Sequence, residues 1–165
     1  MKLFYVLLFS VFVGAEDRGF YVNVGDLAPD FNMKFSDGTQ TKLSEFRGKI
    51  VVLQFTASWC SVCRLEMPHL EKDLWRKYKD NGLILIGIDR DEPLETVLKF
   101  KNDVGITYPL ALDPNADIFG LYANKESGVT RNVVIDTTGN IIFLTRLFEE
   151  KEYQNMIRVI EKALY

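Results

Sequence analysis

Residues 57–68 read ASWCSVCRLEMP, and the reading of this stretch decides the fold. It follows KIVVLQFTA (49–57), a near-continuous run of β-branched and aromatic residues, the pattern of a central strand buried on both faces. A helix is expected to begin at Ser61 and run to about position 78. Cys60 then stands where a buried strand ends and a helix begins, with its sulfur toward the unsatisfied N–H groups and positive dipole end of that helix. A thiolate is favoured there: free cysteine titrates near 8.5, and such a placement lowers it by about one to several units. Cys63 lies one turn further in, near enough to close a disulfide yet more shielded. The spacing assigns the two sulfurs unequal roles, Cys60 attacking a disulfide and Cys63 resolving the mixed intermediate.

These are the only two cysteines in the chain, so other uses of the pair can be weighed directly. A c-type haem would need His after the second cysteine, where this chain has Arg64. Zinc wants four ligands, and beyond the cysteines only His69 is at hand before carboxylates are needed. A structural bridge across so short a loop would constrain the unfolded chain little. Redox exchange is favoured, with metal binding and an inert disulfide as the alternatives.

On the expected helix Val62, Glu66, Leu70, Leu74 and Tyr78 fall four apart and form one stripe. Glu66 thus sits on the core-facing line, one turn from Cys63. Burial raises a carboxyl pKa, which would let Glu66 exchange protons with Cys63; reaching solvent or pairing with Arg64 is the alternative. Pro68 removes a helical hydrogen bond and predicts a kink over 64–67. Trp59 precedes the nucleophile on an exposed turn, where it could meet an incoming protein or simply pack. His69 reads as a boundary residue.

Outward from this centre, GDLAPDFNMKFSDGTQTKLSEF (25–46) suggests a strand near 31–35, an Asp37-Gly38 turn and a return segment. NGLILIGID (81–89) supplies a second buried strand, and Pro93 opens a helix in PLETVLKFKNDV (93–104). A strand near YPLAL (108–112), a short helix near ADIFGLY (116–122) and a strand pair RNVVID (131–136) and NIIFLTRLF (140–148) follow. The last segment places Tyr153, Met156, Ile157, Ile160 and Leu164 on one helical face. Strands alternating with helices predict an α/β fold with a mostly parallel sheet, closed by an antiparallel hairpin.

With 165 residues, 47% of them apolar, the chain has material for one packed domain, expected over 24–165. Twenty Lys and Arg against 23 Asp and Glu leave no basic cluster, which removes the electrostatic footprint of a nucleic-acid binder. MKLFYVLLFSVFVGA (1–15) has one lysine, an apolar run over 3–13, and Val13 and Ala15 at the −3 and −1 positions of a cut after Ala15. That is the layout of a secretory signal peptide, with an uncleaved membrane anchor as the alternative; the run is shorter than the ~20 apolar residues of a span. Export would place the cysteines where disulfides persist.

WCSVCRLEMPHL (59–70) resembles the active-site segment of the TlpA/ResA-type thiol-disulfide oxidoreductases, which share W-C-x-x-C-x-x-E-x-P. The likeness extends through GDLAPDF (25–31), LILIGIDRDEP (83–93), YPLALD (108–113) and VVIDTTGNI (133–141), in the expected order. The resemblance implies a thioredoxin-like fold, a central mixed sheet flanked by helices, with an N-terminal extension and a central strand-helix insertion. It implies catalytic Cys60, Cys63 and Glu66, no cofactor or metal, a disulfide-containing protein substrate, and a membrane thiol carrier as electron donor to a periplasmic reductase. Two departures stand out. Thioredoxin buries an aspartate six residues before its first cysteine, where this chain has Gln54. The family's cis-proline, six residues before the aspartate of VVID, is here Thr130 in SGVTRNV (127–133).

A cis bond before a non-proline residue costs about 2.5 to 4 kcal/mol, so the Val129–Thr130 bond is expected trans and the loop beside Cys60 differently shaped. Trp59, Val129 and Thr130 are the expected substrate contacts; the Thr130 hydroxyl could bond Cys60, with a plain strand residue as the slightly favoured alternative. A peroxiredoxin shares the fold, but its P-x-x-x-T-x-x-C would need Pro at 53 and Thr at 57, where Leu53 and Ala57 stand. A Sco-type copper carrier would need a histidine downstream of His69, and none follows.

Overall fold

The structure, a computed structural model, describes residues 18–165. The expected signal peptide, 1–15, lies outside the described residues. Seven strands form one sheet: β1 (Asn32–Phe35), β2 (Gln40–Lys42), β3 (Ile50–Thr56), β4 (Leu83–Arg90), β5 (Leu110–Asp113), β6 (Arg131–Ile135) and β7 (Ile141–Arg146). Their spatial order is β2-β1-β5-β4-β3-β6-β7. β3 and β4 lie at the centre and are almost wholly buried, as their unbroken apolar runs require.

The expectation of a mostly parallel sheet is corrected. Only β3–β4 and β4–β5 run parallel, while β1–β2, β1–β5, β3–β6 and β6–β7 are antiparallel. The reason is that hairpins close the sheet at both ends. The β6–β7 pair lies beside β3, and the β1–β2 hairpin docks on β5 through Lys34↔Leu112 and Phe35↔Ala111.

Helix α1 (Ser61–Leu70) leaves β3 through the turn at 57–60 and continues through a π-helical stretch, Glu71–Trp75, into α2 (Arg76–Tyr78). Residues 64–67, where a kink is expected, are α-helical, and a π-helical stretch begins one turn after Pro68. There the Glu71 carboxylate turns to the N–H and hydroxyl of Thr107 at 2.8 and 2.7 Å and to Arg76 at 2.9 Å. Helix α3 (Leu94–Val104) begins after Pro93, which supplies the extended N-cap, and ends at Gly105, whose φ of 69° is the left-handed conformation that glycine adopts readily.

Strand alternation divides the core. Gln54 and Thr56 of β3 face α1, Thr56 reaching the sulfur of Met67 at 3.3 Å. Phe55 faces the other way, onto Phe119 and Tyr122 of α4 (Phe119–Tyr122), with ring centroids 5.4 and 5.3 Å apart. The N-terminal arm closes over this second face: Phe20 bridges to Ala123, and the Phe31 ring meets Tyr122 edge-on. Helix α5 (Glu150–Leu164) lies beside α2, with Tyr78 donating to Glu161 at 2.6 Å. Its expected apolar face is buried at Tyr153, Met156, Ile157 and Ile160, each worth about 1.5–3 kcal/mol of transfer free energy. Among the described residues no helix is long and apolar enough to cross a membrane.

Candidate active site

Cys60 is the N-cap of α1 and is joined to Cys63 in a disulfide with Cα atoms 5.3 Å apart. The Cys60 sulfur accepts the Cys63 N–H at 3.1 Å, occupying the position where a helix start offers unsatisfied donors. Cys60 keeps 6% of its surface and Cys63 none, so the asymmetry expected from the spacing is present. Trp59, immediately before, is 60% exposed.

Glu66 is fully sunk beneath the pair, 1% exposed. Among the described residues its carboxylate has no cation partner and instead accepts three bonds from neutral donors. The Thr130 hydroxyl gives 2.7 Å and the Gln54 amide 3.1 Å to one oxygen; the Asn132 amide gives 2.7 Å to the other. Burial pushes the Glu66 carboxyl above its usual range, and the bonds from Thr130, Gln54 and Asn132 hold it down in part. The tether to Arg64 weighed from the sequence is not formed, since Arg64 donates to the Ser58 carbonyl at 2.8 Å.

The donors are themselves oriented. Tyr108 donates to the Gln54 carbonyl oxygen at 2.8 Å, which turns the amide nitrogen toward Glu66. Asn132 also donates to Thr145 at 2.8 Å. Gln54, Asn132 and Thr130 come together because Gln54 and Asn132 are register partners across β3 and β6, with Thr130 two residues earlier on the same face. Sequence reading registered Gln54 only as a departure and missed Asn132 and Tyr108. A polar residue interrupting an apolar strand at the core-facing phase, as in VVLQFT and RNVVI, was the available signal.

Two expectations about Thr130 are corrected. The Val129–Thr130 peptide is cis, not trans. The segment is fixed on both sides: Val129 and Thr130 are buried, the Thr130 carbonyl accepts the Leu147 N–H at 3.1 Å, and its hydroxyl is committed inward. That hydroxyl serves Glu66, not Cys60. His69 is a half-exposed boundary residue 5.1 Å from the Phe148 ring, as expected.

A buried strand delivering a cysteine pair to a helix start, over an acid held beneath it, defines a thioredoxin-like thiol-disulfide oxidoreductase. The chain belongs to the AhpC/TSA family, whose pattern matches residues 24–144. It is 31% identical over 149 residues to the thiol-disulfide oxidoreductase ResA of Bacillus anthracis, spanning 85% of this chain and 84% of that one. Among solved structures it resembles a Bacteroides thetaiotaomicron protein proposed to be a protein disulfide isomerase, at 56% identity and a TM-score of 0.86, covering 88% of this chain and 92% of that one. A Chlorobium tepidum protein proposed to be the thiol:disulfide interchange protein DsbE matches at 28% identity and a TM-score of 0.75, over 87% and 99% of the two chains. The peroxiredoxin reading is the weaker one: the mycobacterial peroxidoxin BcpB shares the fold at 22% identity, and Leu53 and Ala57 break the peroxidatic motif.

Proposed function

We propose that the chain is an exported reductase of protein disulfides, with residues 1–15 as its signal peptide, 24–165 as its folded domain, and the periplasm as its compartment. The Cys60 thiolate attacks one sulfur of a substrate disulfide, forming a mixed disulfide and releasing the other substrate sulfur as a thiolate. Cys63, deprotonated by the Glu66 carboxylate, then attacks the Cys60 sulfur; the Cys60–Cys63 bond forms and the second substrate thiol leaves. Trp59 and Val129 contact the substrate, Thr130 supports that segment from within through Glu66, and a membrane thiol carrier returns two electrons to the pair.

The observation that carries this reading is the disulfide set at a helix start, where the Cys60 residue keeps a small part of its surface and Cys63 keeps none. Cys63→Ser tests it by trapping a mixed disulfide through Cys60, while Cys60→Ser traps none. The direction is tested by the reduction potential. A value well above about −180 mV, the range of disulfide isomerases, would overturn the reductase assignment.

A further inference from the structure

The turn that presents Cys60 is pinned from outside its own helix. Glu92, just before Pro93, accepts the Ser58 N–H on one carboxylate oxygen at 2.6 Å and the Ser58 hydroxyl on the other at 2.5 Å. Both oxygens acting as acceptors is the behaviour of an ionised carboxylate. Behind this anchor, three residues earlier, lies Asp89. It is completely buried, and neither of its oxygens accepts from a donor among the described residues; the group it faces is the Glu92 carboxylate, which can only accept.

Asp89 is the register partner of Thr56, four residues before Cys60. Strand alternation puts it on the face of Gly87, where a side chain would meet Leu110, Tyr108 and Gln54, so it shares the buried layer of Glu66 and α1. The charged groups that act on it, Glu92 and Asp91, are both negative. The nearby cations are committed elsewhere. Arg90 alternates to the opposite face and lies over Phe119, while Arg64 of α1 is held by the Ser58 carbonyl and lies over Phe100 of α3. Asp113 of β5 also turns to that opposite face, accepting the N–H groups of Ile118 and Phe119. The helix packed on this face, α1, carries the titratable side chains Cys63, Glu66 and His69, with Cys60 as its N-cap.

A buried carboxyl with no cation and an anion beside it keeps its proton. We propose that Asp89 is a redox-linked proton site behind the Cys60 turn, neutral while Glu92 grips Ser58, whose ionisation and that of Cys60 oppose one another. When Asp89 ionises, its proton passes to solvent and a second anion is left beside Glu92, at the base of the turn bearing the thiolate. Linkage makes the opposition reciprocal: Asp89 holds its proton more tightly when Cys60 is a thiolate than when it is in the disulfide. Burial, then the neighbouring Glu92 carboxylate, raise Asp89 to about 8, which puts this opposition just above neutrality. The inference rests on Cys60 being the attacking sulfur.

The test is a pH titration of the aspartate side-chain carboxyl carbons by NMR in the wild-type protein, assigned by through-bond correlation, once as disulfide and once reduced. Aspartate and glutamate carboxyl carbons are distinct, so Glu66 does not interfere. The expected result is an Asp89 midpoint near 8 in the disulfide form, moved about one pH unit higher in the reduced form. In parallel, Asp89→Asn should lower the pH midpoint of Cys60 alkylation, located by peptide mass. An Asp89 midpoint in the ordinary carboxylate range, or one identical in both redox forms, would overturn the proposal. Failure of the reduced protein to cleave any disulfide would instead remove the functional reading, and leaves the titration of the disulfide form intact as a measurement.

Discussion

The hydroxyl of Thr130 donates to the carboxylate of Glu66 at 2.7 Å, across 64 residues of chain, at the position where the resembled family places a proline. A proline has no hydroxyl, so this chain gives its buried acid a donor that a proline there could not supply. That bond ranks first among those that restrain the rise of the Glu66 pKa. Thr130→Val, nearly isosteric, should push Glu66 further up and cost about 1–3 kcal/mol, the range for leaving a buried acceptor short of a partner. Thr130→Ser should restore both. Chemical denaturation at pH 7, with the pH midpoint of mixed-disulfide resolution, checks the pair of variants.

Glu66→Gln removes the proton acceptor for Cys63 while keeping shape. Resolution of the mixed disulfide should slow by about 10²-fold, the low end for loss of a general base, and the first attack by Cys60 should be little changed. Stopped-flow kinetics with a fluorescent disulfide separates the two steps. Equal slowing of both would mean that Glu66 acts on the fold or on Cys60 and not on Cys63.

How far the sequence reaches is clear from particular elements. The period of KIVVLQFTA and the Cys60–Ser61 boundary depend on neighbours a few residues away, and both were read correctly. The docking of β1 on β5 and the bond from Thr130 to Glu66 depend on residues more than 60 positions apart, brought together only by the finished sheet. Glu66 could be placed on the core side because helical spacing is local, but its donors belong to β3 and β6. Asp89 looked like any residue of an apolar strand, because nothing near it in sequence reveals that the cations around it are already taken.

Trp59 offers 60% of its surface beside Cys60 while contributing little to the core. Trp59→Ala should leave stability within about 0.5 kcal/mol, as for exposed positions free of buried contacts. The KM for a protein disulfide should rise several-fold, and the rate with a small aromatic disulfide should stay the same, since only a protein is large enough to cover the indole. A parallel loss with both substrates would assign the ring to shaping the turn instead.

Asp89 also predicts the pH dependence of stability. In the unfolded chain its carboxyl titrates at the ordinary 3.8, and in the folded protein at about 8. Between those values the native state holds a proton that the unfolded state has lost, so unfolding releases it and stability falls as pH rises, by at most about 1.4 kcal/mol per pH unit. Below 3.8 both states are protonated, and above 8 neither is, so the contribution is flat on either side. The carboxylates with lowered values, among them Asp30, Asp136 and Glu71, act with the opposite sign and only in acid, where protonating them removes stability. Asp89→Asn isolates the first effect, because the amide keeps the shape, carries no charge and can donate to Glu92. The variant should match the wild type near pH 4 and exceed it increasingly up to pH 8. Urea denaturation at single-unit pH steps gives the difference directly, and a gap that stays constant from pH 4 to 8 would mean that Asp89 ionises normally in the fold.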